Sequence, residues 1–345
     1  MRRFNPLIIK IMSLLFLVLC FMIPVDMVRD LIRDRQFYQS QVEQELTQST
    51  SGEQTIAAPI LVVPYQLVEG KTRTEQRLIV LPEQLNIDGQ VQVSPLKRAI
   101  YTFQTFQSTT ALTGHFSRAP LQALRAKKGV TLGTPFLAVG VSDARGLGKS
   151  EPFTWDGKRY TFSAGTQLHA LPNGMHAALP LSDWDIAGSA PLNFSIQLNV
   201  NGSSRISYVP LGENTQVTLA GNWPHPKFAG STVTQTRNVM PQGFNASWQS
   251  NWFANNLNTT LPSIENSTAN GGNGSIEQLY RIDTDLIQTV DHYQLNERMA
   301  KYSMLFIGLT FLAFFMFEVL RHLRVHPLQY ALVGVALTVF FVLLL

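Results

Sequence analysis

The sequence predicts a membrane-anchored, β-rich protein: an N-terminal transmembrane helix, a mostly antiparallel β extracytoplasmic domain, and C-terminal transmembrane helices. Three observations carry this reading. One uncharged apolar run opens the chain and two more close it. Between them, short β-branched runs are bounded by Gly, Pro, Asn and Asp. Charged residues are only 14% of the 345, against 45% hydrophobic, well under the quarter or so usual in water-soluble domains.

The first run, Ile11 to Val25, reads IMSLLFLVLCFMIPV. With Leu7 to Ile9 ahead of Lys10 it reaches about the 20 residues that span a bilayer. Arg2, Arg3 and Lys10 resemble the charged start of a signal peptide. The run ends Met22-Ile23-Pro24-Val25-Asp26 without a small-x-small cleavage pattern, so residues 1–28 are expected to remain as an anchor. A second helix is expected over 301–320, a cytoplasmic loop over 321–327 and a third helix over 328–345. That last run ends at Leu345 with no polar flank, and the chain is expected to be truncated there. The positive-inside rule puts Arg2, Arg3 and Lys10 in the cytoplasm and, independently, Arg321 and Arg324 too. Both placements hold if residues 29–300 lie outside, which predicts a multi-pass membrane protein with a cytoplasmic N-terminus and a large extracytoplasmic domain. Glu318 is the acid of the membrane runs, one turn from Arg321, and is expected to pair with that arginine or to snorkel to the interface.

Charge and cysteine content exclude several classes. The formal net charge is +4, but residues 30–300 hold 20 Lys and Arg against 21 Asp and Glu, so the basic excess sits with the membrane helices. No nucleic-acid partner is expected. A single cysteine, Cys20, excludes a disulfide framework and a Cys-ligated zinc site.

Within the outer domain, residues 29–48 lack Gly and Pro and carry spaced apolar residues among charges, which predicts a helical stem ending at Ser51-Gly52. Strands are expected at Pro59–Val63, Arg77–Leu81, Gln90–Val93, Phe136–Val139 and Phe194–Val200. Asp88-Gly89, Asp156-Gly157, Asn173-Gly174 and Asn201-Gly202 are dipeptides that favour two-residue hairpin turns, most clearly Asp156-Gly157, which Phe153–Trp155 and Arg159–Phe162 flank as paired strands. Short helices are expected at Pro120–Lys128 and at Asn296–Lys301, the latter with Asn296 as N-cap. Residues 255–275, rich in Asn, Thr, Ser and Gly, read as a flexible loop. Spacing leaves sandwich and barrel both open.

Catalytic signatures are sparse. Ser142 lacks the second glycine of G-x-S-x-G. The histidines form no H-E-x-x-H, and no G-x-G-x-x-G or P-loop is present. No cofactor or metal is expected. Asp183 with Asp185 and Asp283 with Asp285 have the two-residue spacing that puts both carboxylates on one face of a strand, as a glycosidase or a calcium site could use and as solvated strands also do.

The chain resembles the CreD family of bacterial inner-membrane proteins. The resemblance rests on Ser49-Thr-Ser-Gly52 with Pro59-Ile-Leu-Val-Val-Pro64, and on Leu132-Gly-Thr-Pro135 running through Ser142-Asp143-Ala-Arg145-Gly146-Leu-Gly148. It continues in Asn222-Trp223-Pro224-His225-Pro226-Lys-Phe228, Trp248-Gln-Ser-Asn-Trp252-Phe253 and Tyr293-Gln-Leu-Asn-Glu-Arg298. It implies a role in cell-envelope integrity and further membrane helices beyond the third, and supplies no catalytic residues. Within these motifs Asp143, Arg145, Trp223, His225, Trp248 and Trp252 are the candidate binding residues, a contact surface for an envelope protein, lipid or peptidoglycan component. An envelope hydrolase acting through Asp143 or Asp183, and a ligand sensor or carrier, are the alternatives.

Overall fold

The computed structural model describes residues 6–49, 51–98, 101–149, 151–180, 188, 190–272, 279–287, 292–321 and 325–343. They form two compact units, Met1–Gln44 with Thr289–Leu345, and Glu45–Gln288. The helices are α1 (Pro6–Ser49), α2 (Ala119–Ala126), α3 (Trp252–Asn255), α4 (Leu257–Ala269), α5 (His292–Arg321) and α6 (Pro327–Leu343). The first strands are β1 (Gln54–Glu69), β2 (Thr72–Val80), β3 (Gln84–Arg98), β4 (Tyr101–Phe116), β5 (Val130–Leu132), β6 (Phe136–Val141), β7 (Phe153–Trp155), β8 (Lys158–Tyr160) and β9 (Ser163–Ala164). There follow β10 (Gly174–Ala178), β11 (Leu192–Ser203), β12 (Arg205–Val209), β13 (Asn214–Gly221), β14 (Pro226–Gly230), β15 (Thr236–Met240), β16 (Gly243–Asn251) and β17 (Ile282–Leu286).

The first unit is helical. At about 1.5 Å per residue, the 44 residues of α1 extend ~66 Å, roughly twice a bilayer's hydrocarbon thickness. The membrane run and the stem are thus one helix, because nothing after Pro24 breaks the pattern before Ser49. Segments long and apolar enough to cross a membrane lie at Ile8–Val42 and Lys301–Arg321, with a shorter apolar helix at Pro327–Phe340. Val25 of α1, Ile307 and Phe311 of α5 and Tyr330 of α6 form a small buried cluster. Gly334 lets α6 approach α1, since a Cβ there would meet the Phe21 ring at 2.2 Å. Phe16, Phe317 and Leu320 are among the many large apolar side chains left exposed, as lipid-facing residues are. α5 begins at His292, so Asn296 is inside the helix and not its N-cap.

Glu318 corrects its expectation. It is buried and pairs with Lys10 of α1, while Tyr330 donates to its Oε2 at 2.9 Å and the Val325 amide to its Oε1 at 3.1 Å. Lys10 also donates to the Val325 carbonyl at 2.8 Å. The start of α1 and the α5–α6 turn are therefore clamped at one end of the bundle.

In the second unit the described strands make two sheets. The first runs β14-β17-β12-β1-β6-β10-β9, with β2 and β5 also paired to β1; the second runs β15-β16-β13-β3-β4-β11-β7-β8. The ladders are antiparallel except β1 with β12 and β3 with β13. The sheets face each other across one core: Tyr208 of β12 shares a 2.9 Å hydrogen bond with Thr110 of β4, and the Phe228 ring of β14 lies 5.5 Å from Trp248 of β16. The arrangement is a sandwich.

Alternation decides the second sheet: Leu192, Phe194, Ile196, Leu198 and Val200 of β11 point into the core and the residues between them point out. In the first sheet, Gln54–Val63 of β1 and all of β6 are buried, as in strands covered on both faces. The cover comes partly from the segment Leu168–Leu171 and from α4, whose Leu257, Leu261 and Glu265 are buried at intervals of four. Glu265 accepts from the amides of His169 at 3.0 Å and Ala170 at 2.7 Å, and Arg77 stands 3.7 Å from it.

Helices α3 and α4 replace the flexible loop expected over 255–275, as far as residue 269. Composition misled because Asn, Ser and Thr are poor helix formers; here Ser263 and Thr268 turn their hydroxyls back onto carbonyls four residues earlier, and burial of the Leu257–Leu261–Glu265 face supplies the stability. Of the four hairpin dipeptides, Asp156-Gly157 makes the expected turn, with Trp155 opposite Lys158. Asp88-Gly89 and Asn201-Gly202 instead lie inside strands, and Asn173-Gly174 leads into β10. Gly89 is there for close approach: a Cβ would sit 2.6 Å from the Tyr208 hydroxyl.

Candidate binding site

Asp143 follows β6 and opens a single 3-10 turn, Ala144–Gly146. Its carboxylate takes the Arg145 guanidinium, with Nη2 2.6 Å from Oδ2, and also the Arg145 amide at 3.0 Å and the Gly52 amide at 3.4 Å. The hydrogen bond from Arg145 holds the Asp143 carboxyl below its ordinary pKa, outweighing burial. Gly146 is required, because a Cβ would meet Gln54 Nε2 at 2.2 Å and the Asn201 carbonyl at 2.3 Å. Ser142 is equally committed: its Oγ donates to the Glu53 carbonyl at 2.8 Å and accepts from the Thr55 amide at 2.9 Å. This motif ties the end of β6 to the start of β1, leaving the outer side of Arg145 exposed.

The aromatic candidates fall elsewhere. Trp223 and His225 precede β14 at the edge of the first sheet, three strands (β17, β12 and β1) away from β6. Their rings meet edge to face at 6.4 Å, and Trp223 Nε1 donates to the Ile287 carbonyl at 3.1 Å. Trp252, in α3, is partly buried against the core and donates to the Leu211 carbonyl at 3.4 Å. Trp248 is a correction: it is 0% exposed, so it belongs to the core and not to a contact surface. Its inward position follows from β16, where Ala246, Trp248 and Ser250 alternate with outward Asn245, Ser247 and Gln249. The six candidates therefore do not converge on one site.

Asp283 and Asp285 do share one face of β17, and both are buried against cations: Arg281 lies 3.0 Å from Asp283, Arg205 pairs with Asp285, and Lys227 stands 3.7 Å from Asp285. Asp183 and Asp185 lie outside the described residues. Among the described residues no three His, Cys, Asp or Glu side chains are grouped to hold a metal.

Residues 6–345 match the family described as Inner membrane protein CreD. Over 349 aligned residues the chain is 38% identical to Inner membrane protein CreD of Escherichia coli (strain K12), covering 99% of this chain and 75% of that protein. The chain belongs to the CreD family. As a CreD-family protein it is an inner-membrane protein, which accounts for the exposed apolar surface of α1 and α5. Among solved structures, an M1 zinc metallopeptidase from Deinococcus radiodurans aligns at a TM-score of 0.23 and 10% identity, over 49% of this chain and 38% of that one. A mutant of it bound to a Tyr-Ser-Ala substrate aligns at 0.24 and 10%, over 49% and 39%. Likeness at that level carries no argument about this CreD-family chain.

One further surface carries no sequence motif. The outward residues of the second sheet are almost all amides and hydroxyls, visible in the sequence only as the polar half of alternating strands whose apolar half drew the reading.

Proposed function

We propose that this CreD-family protein supports cell-envelope integrity by non-enzymatic binding through a periplasmic β domain held at both ends by membrane helices. The observation that carries the reading is the clamp at Lys10, Glu318 and Val325. It brings the N-terminal end of α1 and the C-terminal end of α5 to one side of the bundle, the side on which both basic clusters belong by the positive-inside rule. The chain between α1 and α5 then starts and ends on the opposite side. The non-enzymatic part is supported by Asp143, whose carboxylate is ionised and saturated by donors, the reverse of what a general acid needs.

Sidedness is tested with single cysteines in a Cys20→Ser background. Phe253→Cys, at a fully exposed position, is expected to react with a membrane-impermeant maleimide in spheroplasts, and Arg321→Cys only after lysis. The reverse labelling pattern overturns the orientation. For mechanism, Asp143→Ala and Asp183→Ala chains are expected to rescue a deletion strain's envelope phenotype as wild type does; loss of rescue by a stably expressed variant favours the hydrolase.

A further inference from the structure

The outer face of the second sheet has a composition that neither packing nor solubility requires. Along one cross-strand row it presents Asn238, Asn245, Ala220, Gln90, Thr109 and Asn199, from β15 through β16, β13, β3 and β4 to β11. In this row and the next two on the side of Gln249, 14 of 17 outward positions are Asn, Gln, Ser or Thr, two are Ala, and Asp88 alone is charged. A solvated sheet face ordinarily mixes charges of both signs, as β2 does here with Arg73, Glu75 and Arg77. This amide and hydroxyl face spans about 24 Å across six strands. At one corner it dips into a groove of about 430 Å³ lined by Gln90, Gln92, Gln107, Asn222, Met240 and Gln242. Among the described residues the side chains of Gln90, Gln92 and Gln107 hold no hydrogen-bond partner, so the groove presents free amide donors and acceptors.

The occupant follows from these properties. A face whose one charge is the Asp88 carboxylate offers nothing to a polyanion or to an anionic lipid surface. It also lacks the aromatic and arginine anchors that hold protein partners. Side-chain amides and hydroxyls, each both donor and acceptor, match the hydroxyl and acetamido groups of sugars. Strands about 4.8 Å apart repeat at close to the spacing of sugars in a β-linked chain, so a glycan laid across the strands meets one polar side chain per sugar. We infer that this face binds an uncharged, hydroxyl- and acetamido-bearing polysaccharide laid across β16, β13, β3 and β4, with one sugar seated in the Gln90–Gln92–Gln107 groove. The inference rests on the proposed function in taking the domain to act by binding in the envelope.

The test uses the full chain in detergent, with a hexamer of β-1,4-linked N-acetylglucosamine as probe in calorimetry. Wild type is expected to bind it, the Gln90→Ala/Gln107→Ala variant to bind at least tenfold more weakly, and Arg73→Ala, on the first sheet, to bind as wild type. All three should melt together, because the changed side chains are exposed. No binding by wild type at millimolar hexamer, or equal binding by the double variant, overturns the inference. Rescue of the deletion phenotype separates this from the broader reading. A double variant that neither binds the hexamer nor rescues supports both, whereas wild type that rescues without binding it sinks the glycan face and leaves the envelope role standing.

Discussion

The two sheets of the β domain share one core, yet the centre of one is sealed on both faces and the other is sealed on one. β1 and β6 carry apolar side chains on both sides, and α4 with the Leu168–Leu171 segment covers the side away from the partner sheet. β3, β4, β11, β13 and β16 alternate along most of their length and leave a wide amide and hydroxyl face in solvent. The difference teaches where stability and recognition reside: the covered sheet cannot change without uncovering apolar surface, while the bare face can change freely and so is available for binding.

Four substitutions sharpen that contrast, each measured as the denaturant midpoint of the full chain in detergent. The largest effect is expected from Trp248→Ala at the shared core, about 3–5 kcal/mol of destabilisation from lost transfer and cavity. Next is Glu265→Ala, which loosens the cover of the first sheet by orphaning the buried amide of Ala170 and the partly buried amide of His169, at about 2–3 kcal/mol. A loss under half that size would mean that α4 is an accessory, not a lid on the core.

Smaller still is Asp143→Asn, ~1 kcal/mol at neutral pH for a partly solvated pair. Its pH dependence has a definite sign. Because the folded carboxyl titrates below its ordinary value of 3.8, wild type's advantage is complete above that pH. It disappears as pH falls through the depressed folded value, so wild type and variant should converge in acid; a gap constant with pH would refute the ion-pair account. The smallest effect is expected from Gln216→Ala on the bare face, within ~0.5 kcal/mol. A larger loss would show that the face is structural and so undercut its role as a binding surface.

Legibility in the sequence followed the range of the interactions. Among the described residues the apolar runs, the stem and the expected strands fall on helices and strands of the structure, with Leu81 one residue beyond its strand, because hydropathy and period are local properties. The dipeptide Asp156-Gly157 was readable for the same reason, its flanking strands being adjacent in the chain. Gly89 and Gly202 were not, since what demands a glycine there is an aromatic residue from far along the chain, Tyr208 or Phe106. The candidate site was the least legible part. Asp143 with Arg145 was found, two residues apart, but placing Trp248 inside and Trp223 at a sheet edge needed the strand order.

By itself the sequence determined that long apolar runs lie near both ends of the chain, that the segment between is β-rich, and that it belongs with CreD, since composition, hydropathy and ordered motifs are written along the chain. Tertiary structure alone decided that the strands form a sandwich, that an Asn- and Thr-rich stretch becomes the helix α4, that Glu318 answers to Lys10 across some 300 residues of chain, and that scattered Gln and Asn residues share one face. Each of these depends on partners brought together by packing, whose free energy outweighs local preference and has no local signature.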